Sequence, residues 1–509
     1  MSPLLLLGLG LLLLLGLGLL LRRRNRRDGE PPLITGWIPV VGKALEFGRN
    51  SYKFLEEHKK KFGDIFTVQI AGKYMTFIMN PLMYPNIIKH GRQLDFHEFA
   101  KKIGPIAFGY QSGVYKTFPG LHEKIQRAFL LLQGDNLPSL TESMMGNLLL
   151  VFRQDHLGER PGEEGPWRSS SLYKFCNSVL FEATFLTMYG RPPSTSRHNN
   201  MEFLRENFTT YDNMFPLLAA QIPIWLLGQT KAVREKLINV LLPQKVSCWS
   251  NTSQFIKRRS EILDQVDPLT EFDKGAHHFA ILWASVANTV PASFWTLYYL
   301  VSHPDALERV RKEIKDVLVH DRVEFSSDRD VSLSIKQLDK LLYLESAIKE
   351  SLRLSSSSMN IRMALEDFTL QLSSEWSEAI RKGDFIVLYP QCVHMDPQIY
   401  EDPETFQFDR FMQDGKEKTD FYKDGQKLKY YLVPFGTGSS KCPGRFFAIN
   451  EIKQFLCMLL LYFDVQLEEG QVRPGLDYSR AGLGILPPTD DVLFRYRLRT
   501  AAPGPKPAQ

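Results

Sequence analysis

The sequence predicts a mainly α-helical protein with a small β region, preceded by one N-terminal transmembrane helix. Three observations lead to this fold class. A run of leucine and glycine opens the chain, two strand-like runs come after it, and helical patterns dominate from about residue 81 to residue 370. Apolar residues recur every three or four positions in a helix and every second position in a strand, which separates the two. The last third mixes short strands, turns and one long helix.

The N-terminal run predicts a membrane anchor. Residues 4–21 are only leucine and glycine, and a helix of that length covers about 27 Å, close to the thickness of a bilayer core. Basic residues beside a membrane span stay on its cytoplasmic side, and five arginines follow the run, at positions 22, 23, 24, 26 and 27. A cleaved signal peptide is the alternative, but positive charge before the run and a cleavage site after it are both missing. We therefore predict an uncleaved signal anchor over residues 1–21, with the body of the protein in the cytosol.

The rest of the chain is predicted to form one large domain with a spacer before it and a short tail after it. Residues 22–40 are basic and proline-rich, which predicts a stiff spacer. Residues 41–499 form the predicted catalytic domain, and residues 500–509 a flexible tail. Inside the domain, 65–70 and 74–79 are predicted strands joined by a turn at Ala71-Gly72-Lys73.

Charge and cysteine content exclude several classes of protein. The net charge of +5 equals the five clustered arginines, so the body is neutral and a nucleic-acid partner is not expected. The five cysteines are widely spaced without a C-x-x-C pair, which argues against a disulfide framework and against zinc.

Cys442 stands in the strongest motif. Two glycines, Gly436 and Gly438, precede it and allow the backbone to approach a flat ligand closely. Pro443 then opens an apolar helical run, 446–461. A sulfur at a helix start meets free N–H groups and the positive end of the helix dipole, and both stabilise a thiolate. A buried structural cysteine after a glycine-rich turn is the plainer alternative.

The pattern F-x-x-G-x-x-x-C-x-G across Phe435 to Gly444 resembles the cysteine loop of the cytochrome P450 family. The resemblance implies the fold of that family and a haem b cofactor (iron protoporphyrin IX). Cys442 would then be the axial ligand of the haem iron, a thiolate that favours O–O cleavage. The expected haem-binding residues around it are Phe435, Gly436, Gly438 and Gly444.

Two further segments match the same family. Glu350-Ser351-Leu352-Arg353 resembles its E-x-x-R motif, and a glutamate and an arginine three positions apart lie on one face of a helix. Such pairs are common on exposed helices, but the segment from Asp402 to Phe411 follows, like the P-E-R-F region of the family. The resemblance implies a buried cluster of Glu350, Arg353 and Arg410 that supports the cysteine loop.

Residues 276–300 resemble the long helix that crosses the distal face of the haem in this family. Thr289 occupies the position of the threonine that passes protons to the oxygen site, while Asn288 replaces the usual acid. An amide cannot titrate, so Asn288 orients water or substrate but donates no proton. The alternative for Thr289 is a hydrogen bond to its own helix carbonyl. Pro291 should bend the helix beside the oxygen site.

The residue two places before the cysteine is a second departure from the family. Ser440 stands where the family usually has a basic residue for a haem propionate. Arg362 matches a position that often fills this role, and it is therefore an expected haem contact.

Asn288 points to one group within the family, which contains the bile-acid-forming sterol hydroxylases and the prostacyclin synthases. Several segments, among them 282–289 and 492–497, are similar to oxysterol 7-alpha-hydroxylases. The similarity implies 7-alpha-hydroxylation of 25- or 27-hydroxycholesterol, and of 3-beta-hydroxy steroids, in bile acid synthesis and cholesterol metabolism. Asn288 and Trp283 are the expected substrate contacts. Electrons would come from NADPH through NADPH-cytochrome P450 reductase, at the endoplasmic reticulum membrane (the microsomal fraction).

Other functions stay open at this point. Within the group, cholesterol 7-alpha-hydroxylation and sterol 12-alpha-hydroxylation are alternatives. An isomerase of a lipid peroxide, like prostacyclin synthase, would need neither oxygen nor reductase, although the retained Thr289 favours oxygen activation. A non-catalytic haem- or lipid-binding membrane protein is the third class.

Overall fold

The computed structural model describes residues 24–38, 41–157, 165–193, 197–321 and 331–499. The predicted anchor, 1–21, and the predicted tail, 500–509, therefore lie outside the described residues. Within the described ranges, no helix has both the length and the apolar character that crossing a bilayer requires. The mainly helical body with a small sheet is confirmed.

Helices make up most of the described chain. In chain order they are α1 (Ala44–Arg49), α2 (Ser51–Phe62), α3 (Tyr84–Lys89), α4 (Phe96–Phe108), α5 (Val114–Thr117), α6 (Leu121–Ala128), α7 (Leu137–Phe152), α8 (Leu172–Tyr189), α9 (Arg197–Asn213), α10 (Phe215–Ala219), α11 (Thr230–Val240), α12 (Pro243–Val246), α13 (Gln254–Asp264), α14 (Glu271–Val286), α15 (Thr289–Ser302), α16 (Pro304–His320), α17 (Ile335–Leu338), α18 (Leu342–Ser355), α19 (Pro390–His394) and α20 (Arg445–Tyr462).

The strands are short. They are β1 (Leu33–Ile34), β2 (Ile65–Ile70), β3 (Lys73–Ile78), β4 (Leu94–Asp95), β5 (Arg168–Ser171), β6 (Asn360–Ala364), β7 (Phe368–Gln371), β8 (Ser377–Ile380), β9 (Phe385–Leu388), β10 (Met412–Gln413), β11 (Lys416–Glu417), β12 (Tyr422–Lys423), β13 (Gln426–Lys427), β14 (Phe463–Leu467) and β15 (Leu493–Leu498). The largest sheet has the order β1-β2-β3-β9-β6-β4.

The two strands that alternation predicts form the hairpin of this sheet. β2 pairs with β3 in antiparallel register from Ile65–Ile78 to Ile70–Lys73. Ala71 and Gly72 make the turn with φ of 48° and 72°, a region that glycine enters without strain. β3 then pairs in parallel with β9, and β9 in antiparallel with β6. The sheet thereby places β6, which carries Arg362, in the interior of the protein.

Part of the predicted spacer packs on the body. Leu33–Ile34 pairs in parallel with β2. Arg24 donates to both carboxylate oxygens of Asp384 over 2.6 Å, and Arg381 bonds both carboxylate oxygens of Glu30. We call Arg24, Glu30, Arg381 and Asp384 the N-terminal clamp, because the four join the entering chain to the residues just before β9.

The predicted distal helix, 276–300, is divided in two. α14 ends at Val286 and α15 begins at Thr289. Pro291 has no N–H to donate to Ala287 four positions earlier, which removes a hydrogen bond where the helix breaks. The bend expected from Pro291 is therefore a break of two residues, Ala287 and Asn288, whose backbone stays in the right-handed helical region. α15 is buried from Thr289 to Leu300 and packs on α8, α18 and α20.

Candidate functional site

Cys442 lies in a tight loop just before α20. Its N–H donates to the Phe435 carbonyl oxygen over 2.7 Å. Gly436 has a φ of +75°, and a Cβ there would lie 2.7 Å from the Ser440 carbonyl oxygen. Gly438 also has a positive φ, of 56°. Only glycine fits these two positions without strain, so the loop geometry explains the glycines of the motif.

The start of α20 and the burial of the sulfur act on the Cys442 thiol in opposite directions. Burial raises the pKa of the Cys442 thiol, while the N–H of Gly444 and the charge and N–H of Arg445 lower it. The Arg445 guanidinium also donates to the Cys442 carbonyl oxygen over 3.0 Å. A positively charged ligand atom above the sulfur would add to these effects and favour the thiolate.

A cavity of about 450 Å³ lies between Cys442 and the break in the distal helix. Its lining includes Phe435, Gly436 and Cys442 from the cysteine loop, and Ser285, Asn288 and Thr289 from the distal helix. A cavity whose lining includes a sulfur, a hydroxyl and an amide fits a group bound between the two segments.

Arg362 supplies positive charge behind this lining, since it contacts Ser440 and follows Ile361, which both line the cavity. It is 3% exposed, and its Nη2 donates to the Thr437 carbonyl oxygen over 2.9 Å, with further contacts to the hydroxyls of Thr437 and Ser440. Its Nη1 is buried and has no hydrogen-bond partner among the described residues, and the same holds for the Nδ2 of the neighbouring Asn360. Two unpartnered buried donors fit an anionic ligand group such as a propionate, because each would otherwise bear an uncompensated desolvation cost. Ser440, the departure from the family pattern, helps to hold this arginine.

Asn288 and Thr289 meet the cavity at the helix break. The Thr289 hydroxyl donates to the Ser285 carbonyl oxygen over 2.9 Å, which is the alternative that the sequence left open. Its oxygen retains acceptor capacity on the cavity side. Asn288 Oδ1 accepts the N–H of Ile485 over 2.9 Å, and a Cβ on Gly484 would lie 2.1 Å from that oxygen. Asn288 therefore holds the helix break against the 484–485 segment, and its amide carries no acidic proton.

The structure brings Glu350, Arg353 and Arg410 together in one buried cluster. Arg353 donates to both Glu350 oxygens, with distances of 2.7 and 2.8 Å. Arg410 Nε donates to Glu350 Oε1 over 2.9 Å. The Glu350 and Arg353 side chains are fully buried, and Arg410 is 6% exposed. One carboxylate thus binds two guanidiniums, Arg353 through both of its oxygens and Arg410 through one.

His394 connects this cluster to the cysteine loop, and the sequence patterns do not reveal it. Arg353 Nη1 donates to the His394 carbonyl oxygen over 2.6 Å. The His394 Nε2 accepts the N–H of Val433 over 2.9 Å, two residues before Phe435. Burial, together with Arg353, lowers the pKa of His394 to about 3. The ring is therefore neutral and keeps its acceptor nitrogen at physiological pH.

Trp283 lies outside the first cavity. It lines a second, adjoining cavity of about 570 Å³, which shares Phe96, Met359 and Leu483 with the first. The Trp283 ring stacks on Phe215 with centroids 3.8 Å apart. Its Nε1 donates to Asp212 over 2.8 Å, and Arg480 binds the same carboxylate oxygen. The residue is thus a fixed part of the second cavity wall.

Comparison with known proteins decides the family. A family model described as cytochrome P450 matches residues 31–494. The chain belongs to the cytochrome P450 family. Its members carry haem on a cysteine thiolate, and the loop around Cys442, the cavity above it and the unpartnered donors of Arg362 fit that group.

Relatives and a solved structure extend this result. The chain is 42% identical to "Cholesterol 7-alpha-monooxygenase" of Cricetulus griseus, over 98% of this chain and 99% of the relative. It is 40% identical to "25-hydroxycholesterol 7-alpha-hydroxylase" of Rattus norvegicus, over 82% of this chain and 99% of that one. The solved structure of retinoic-acid-bound cyanobacterial CYP120A1 matches with a TM-score of 0.67 and 22% identity, covering 93% of this chain and 99% of that chain. The last similarity shows the P450 fold alone.

Arg362 gives this P450 a testable haem contact. Replacing it with methionine removes its buried positive charge, and charge-assisted hydrogen bonds contribute roughly 1.5–3 kcal/mol each. We expect haem affinity to fall by roughly ten- to a hundredfold, measured by haem content after dialysis against a haem acceptor. Arg362→Lys, which keeps the charge, should retain more haem than Arg362→Met. Equal haem retention in both variants and the wild type would contradict the assignment.

Proposed function

We propose that this P450 is an NADPH- and O₂-dependent monooxygenase that hydroxylates side-chain-hydroxylated cholesterols at carbon 7 on the alpha face. Its preferred substrates in this proposal are 25- and 27-hydroxycholesterol, with 3-beta-hydroxy steroids as a second class. The observation that carries it is the full-length similarity to two relatives named for 7-alpha oxidation of cholesterol and of 25-hydroxycholesterol.

The second cavity supports a sterol. It is lined largely by apolar side chains, among them Phe47, Phe99 and Ile103, with a few polar groups such as Lys73 and Tyr478. Because it adjoins the cavity above Cys442, the two together offer a long apolar space with polar groups at separate places. A sterol is a long flat apolar molecule with hydroxyls at its ends, and such pockets bind it through burial with a few polar anchors.

The residues of the site have separate roles in the proposed reaction. Haem b, when bound, supplies the activation of dioxygen. Cys442 would be the ligand of its iron, and Arg362 would donate hydrogen bonds to its anionic edge. Thr289 would pass protons toward the oxygen site, while Asn288 and Trp283 would shape the space for the sterol. In balance, O₂, two electrons and two protons convert one C–H bond to C–OH and release one water.

The membrane arrangement is also part of the proposal. Residues 1–21 would anchor the chain in the endoplasmic reticulum, with domain 41–499 in the cytosol beside NADPH-cytochrome P450 reductase. Large apolar side chains that are exposed support a lipid-facing surface, since Trp37 is 91% and Trp225 73% exposed. Deleting residues 1–21 should move most of the protein out of the microsomal pellet after alkaline extraction. Undiminished pelleting of the deletion variant would contradict the anchor.

The decisive assay supplies the purified holoenzyme with reductase, NADPH and a sterol. We expect 25-hydroxycholesterol to give a product heavier by one oxygen, with the new hydroxyl at 7-alpha by comparison with a standard. Cholesterol and a prostaglandin endoperoxide analogue run in parallel. Product from the endoperoxide without NADPH would establish an isomerase instead. No product and no substrate-dependent NADPH consumption with any sterol would reject the proposed function.

A further inference from the structure

Asp212 connects its own helix, α9, to two segments that line the second cavity. One is α14, through Trp283, and the other is residues 480–485, which we call the C-terminal loop. The Asp212 Oδ1 accepts the Nε1–H of Trp283 over 2.8 Å and a hydrogen bond from Arg480 over 2.9 Å. Arg480 also donates to the Asp212 backbone carbonyl oxygen over 2.7 Å. One carboxylate oxygen thus holds an indole and a guanidinium at the same time.

This contact is largely shielded from solvent. The side chain of Arg480 is 9% exposed and that of Asp212 is 18% exposed. Hydrogen bonds to a charged group are short and directional, and they are stronger where water is excluded. The carboxylate therefore fixes the positions of both of its partners more firmly than an exposed ion pair would.

Trp283 lies on a part of α14 that borders both cavities. Trp283 itself lines the second cavity, and its neighbour Ala284 lines the first. The Trp283 ring stacks on Phe215, which also belongs to the lining of the second cavity. The Trp283 carbonyl oxygen accepts the N–H of Ala287 over 3.0 Å, just before the break in the distal helix. A change in the position of this ring therefore reshapes the second cavity beside its boundary with the first.

The C-terminal loop borders both cavities as well. Leu483 belongs to the lining of the first cavity and of the second. Three residues before it, Arg480 is held by Asp212. Two residues after it, the N–H of Ile485 donates to Asn288 over 2.9 Å. Asp212 thus fixes one end of the segment that carries Leu483, and Asn288 fixes the other end.

The shape of this boundary matters because a sterol is rigid. A rigid molecule cannot adapt to a displaced wall, so the lining determines which of its carbons lies nearest the oxygen site. A displacement of about 1 Å between reacting atoms can change a rate by roughly a hundredfold. Asp212 is not among the described residues that line either cavity. It can therefore act on the sterol only through the residues that it holds.

We propose that Asp212 is a positioning residue that determines the site of oxidation on the sterol. Its carboxylate fixes the Trp283 ring and the Arg480 end of the C-terminal loop, and these two determine how the sterol enters the first cavity. Loss of the carboxylate therefore allows other carbons to reach the oxygen site and weakens sterol binding. The inference rests on the proposed oxygenation of a sterol.

A purely structural role of this carboxylate predicts a different result. If Asp212 only stabilised α9, its loss would lower the haem content and all products together and leave the ratio of the products unchanged. Asp212→Ala removes the carboxylate, whereas the hydrogen bond from Arg480 to the carbonyl oxygen of residue 212 does not depend on the side chain. Asp212→Asn retains an acceptor oxygen without the charge, so its effect should lie between those of Asp212→Ala and the wild type.

Glu378→Ala is the matched control. Glu378 accepts the Nε1–H of Trp376 over 2.9 Å, so it is also a carboxylate that holds an indole. Neither Glu378 nor Trp376 is among the described residues that line the two cavities. A second comparison places Asp212→Ala in a Trp283→Phe background. There the indole N–H is already missing, so the two effects should not add in full.

The test measures the products of the reconstituted holoenzyme and its binding of 25-hydroxycholesterol. With reductase and NADPH, the ratio of the main hydroxylated product to all other products should fall by roughly tenfold in Asp212→Ala. The dissociation constant of 25-hydroxycholesterol, measured from the shift of the haem absorbance during titration, should rise by roughly tenfold. Haem content and the carbon monoxide difference band should equal those of the wild type. Glu378→Ala should equal the wild type in every measurement.

The failures of the two proposals are distinguishable. An unchanged product ratio in Asp212→Ala, an equal change in Glu378→Ala, or full additivity with Trp283→Phe would each overturn the role of Asp212. A wild type that binds 25-hydroxycholesterol but oxidises no sterol would reject the proposed function alone. The dissociation constant then replaces the product ratio as the measure, and equal values in Asp212→Ala and the wild type overturn the positioning role.

Discussion

Replacing Cys442 with alanine is expected to abolish the carbon monoxide difference band of a thiolate-ligated haem and, with it, all sterol oxidation. The reason is chemical: among the side chains that line the cavity, Cys442 offers the soft anionic sulfur that favours O–O cleavage. The absorbance of the reduced protein with and without carbon monoxide measures the first effect, and product formation the second. We expect the folded helical content to stay near that of the wild type, because the backbone hydrogen bond from the residue 442 N–H to the Phe435 carbonyl oxygen does not depend on the side chain.

Cys457→Ala is the matched control for that experiment. Cys457 lies further along the same helix and is fully buried, and burial raises the pKa of its thiol well above the usual range. A thiol held neutral in this way is inert. Its variant should keep the thiolate spectrum. A thiolate band that persists in Cys442→Ala, or one that disappears in Cys457→Ala alone, would move the ligand to another residue.

Replacing Glu350 with alanine is expected to lower the free energy of unfolding by about 3–5 kcal/mol. The substitution leaves Arg353 and Arg410 as two buried guanidiniums without a counter-charge, and removing one partner of a buried ion pair costs about this much. Because Arg353 also fixes His394, and His394 holds Val433, the cysteine loop should lose its support at the same time. We expect reduced haem content as well, measured beside urea unfolding followed by circular dichroism.

The control for Glu350 is an ion pair on the surface. Glu261 lies 2.8 Å from Arg258, and both side chains are more than half exposed, at 59% and 52%. Exposed pairs of this kind contribute less than about 1 kcal/mol, so Glu261→Ala should unfold almost like the wild type. A Glu350 variant as stable as the Glu261 variant would show that the buried cluster contributes little to stability or to the loop.

Local patterns predicted much of this fold. The hairpin of β2 and β3 follows from alternation and from the turn at Ala71 and Gly72, both of which are properties of neighbouring residues. The cysteine loop was predictable because the backbone has a positive φ at residues 436 and 438, a conformation that glycine adopts without strain. A bend near Thr289 was predictable from the missing N–H of Pro291, but its extent, a break of two residues, was not.

Contacts between distant segments were not predictable in the same way. His394 accepts a hydrogen bond from Val433, and nothing in either segment alone indicates the other. The buried carboxyl of Glu451, which lines the first cavity, was also missed, because α20 is buried from Asn450 to Tyr462 and its polar residues there do not mark an exposed face. An acid inside an otherwise apolar helical run is a signal that could have been used. The parallel pairing of Leu33–Ile34 with β2 escaped prediction because two residues carry no period.

The N-terminal clamp has a consequence for how the enzyme sits on its membrane. The apolar run ends at residue 21 of the sequence, and Arg24 already binds Asp384. Three residues of chain reach at most about 10 Å. With the run in the bilayer as proposed, the segment that connects the membrane to the sheet is too short for the catalytic domain to rotate freely. The orientation of the domain relative to the membrane is therefore set by β1 and the four charged side chains of the N-terminal clamp. A truncated protein that begins after Arg24 would lose both this connecting segment and the Arg24–Asp384 ion pair. The truncated enzyme would therefore differ from the anchored one in more than its solubility.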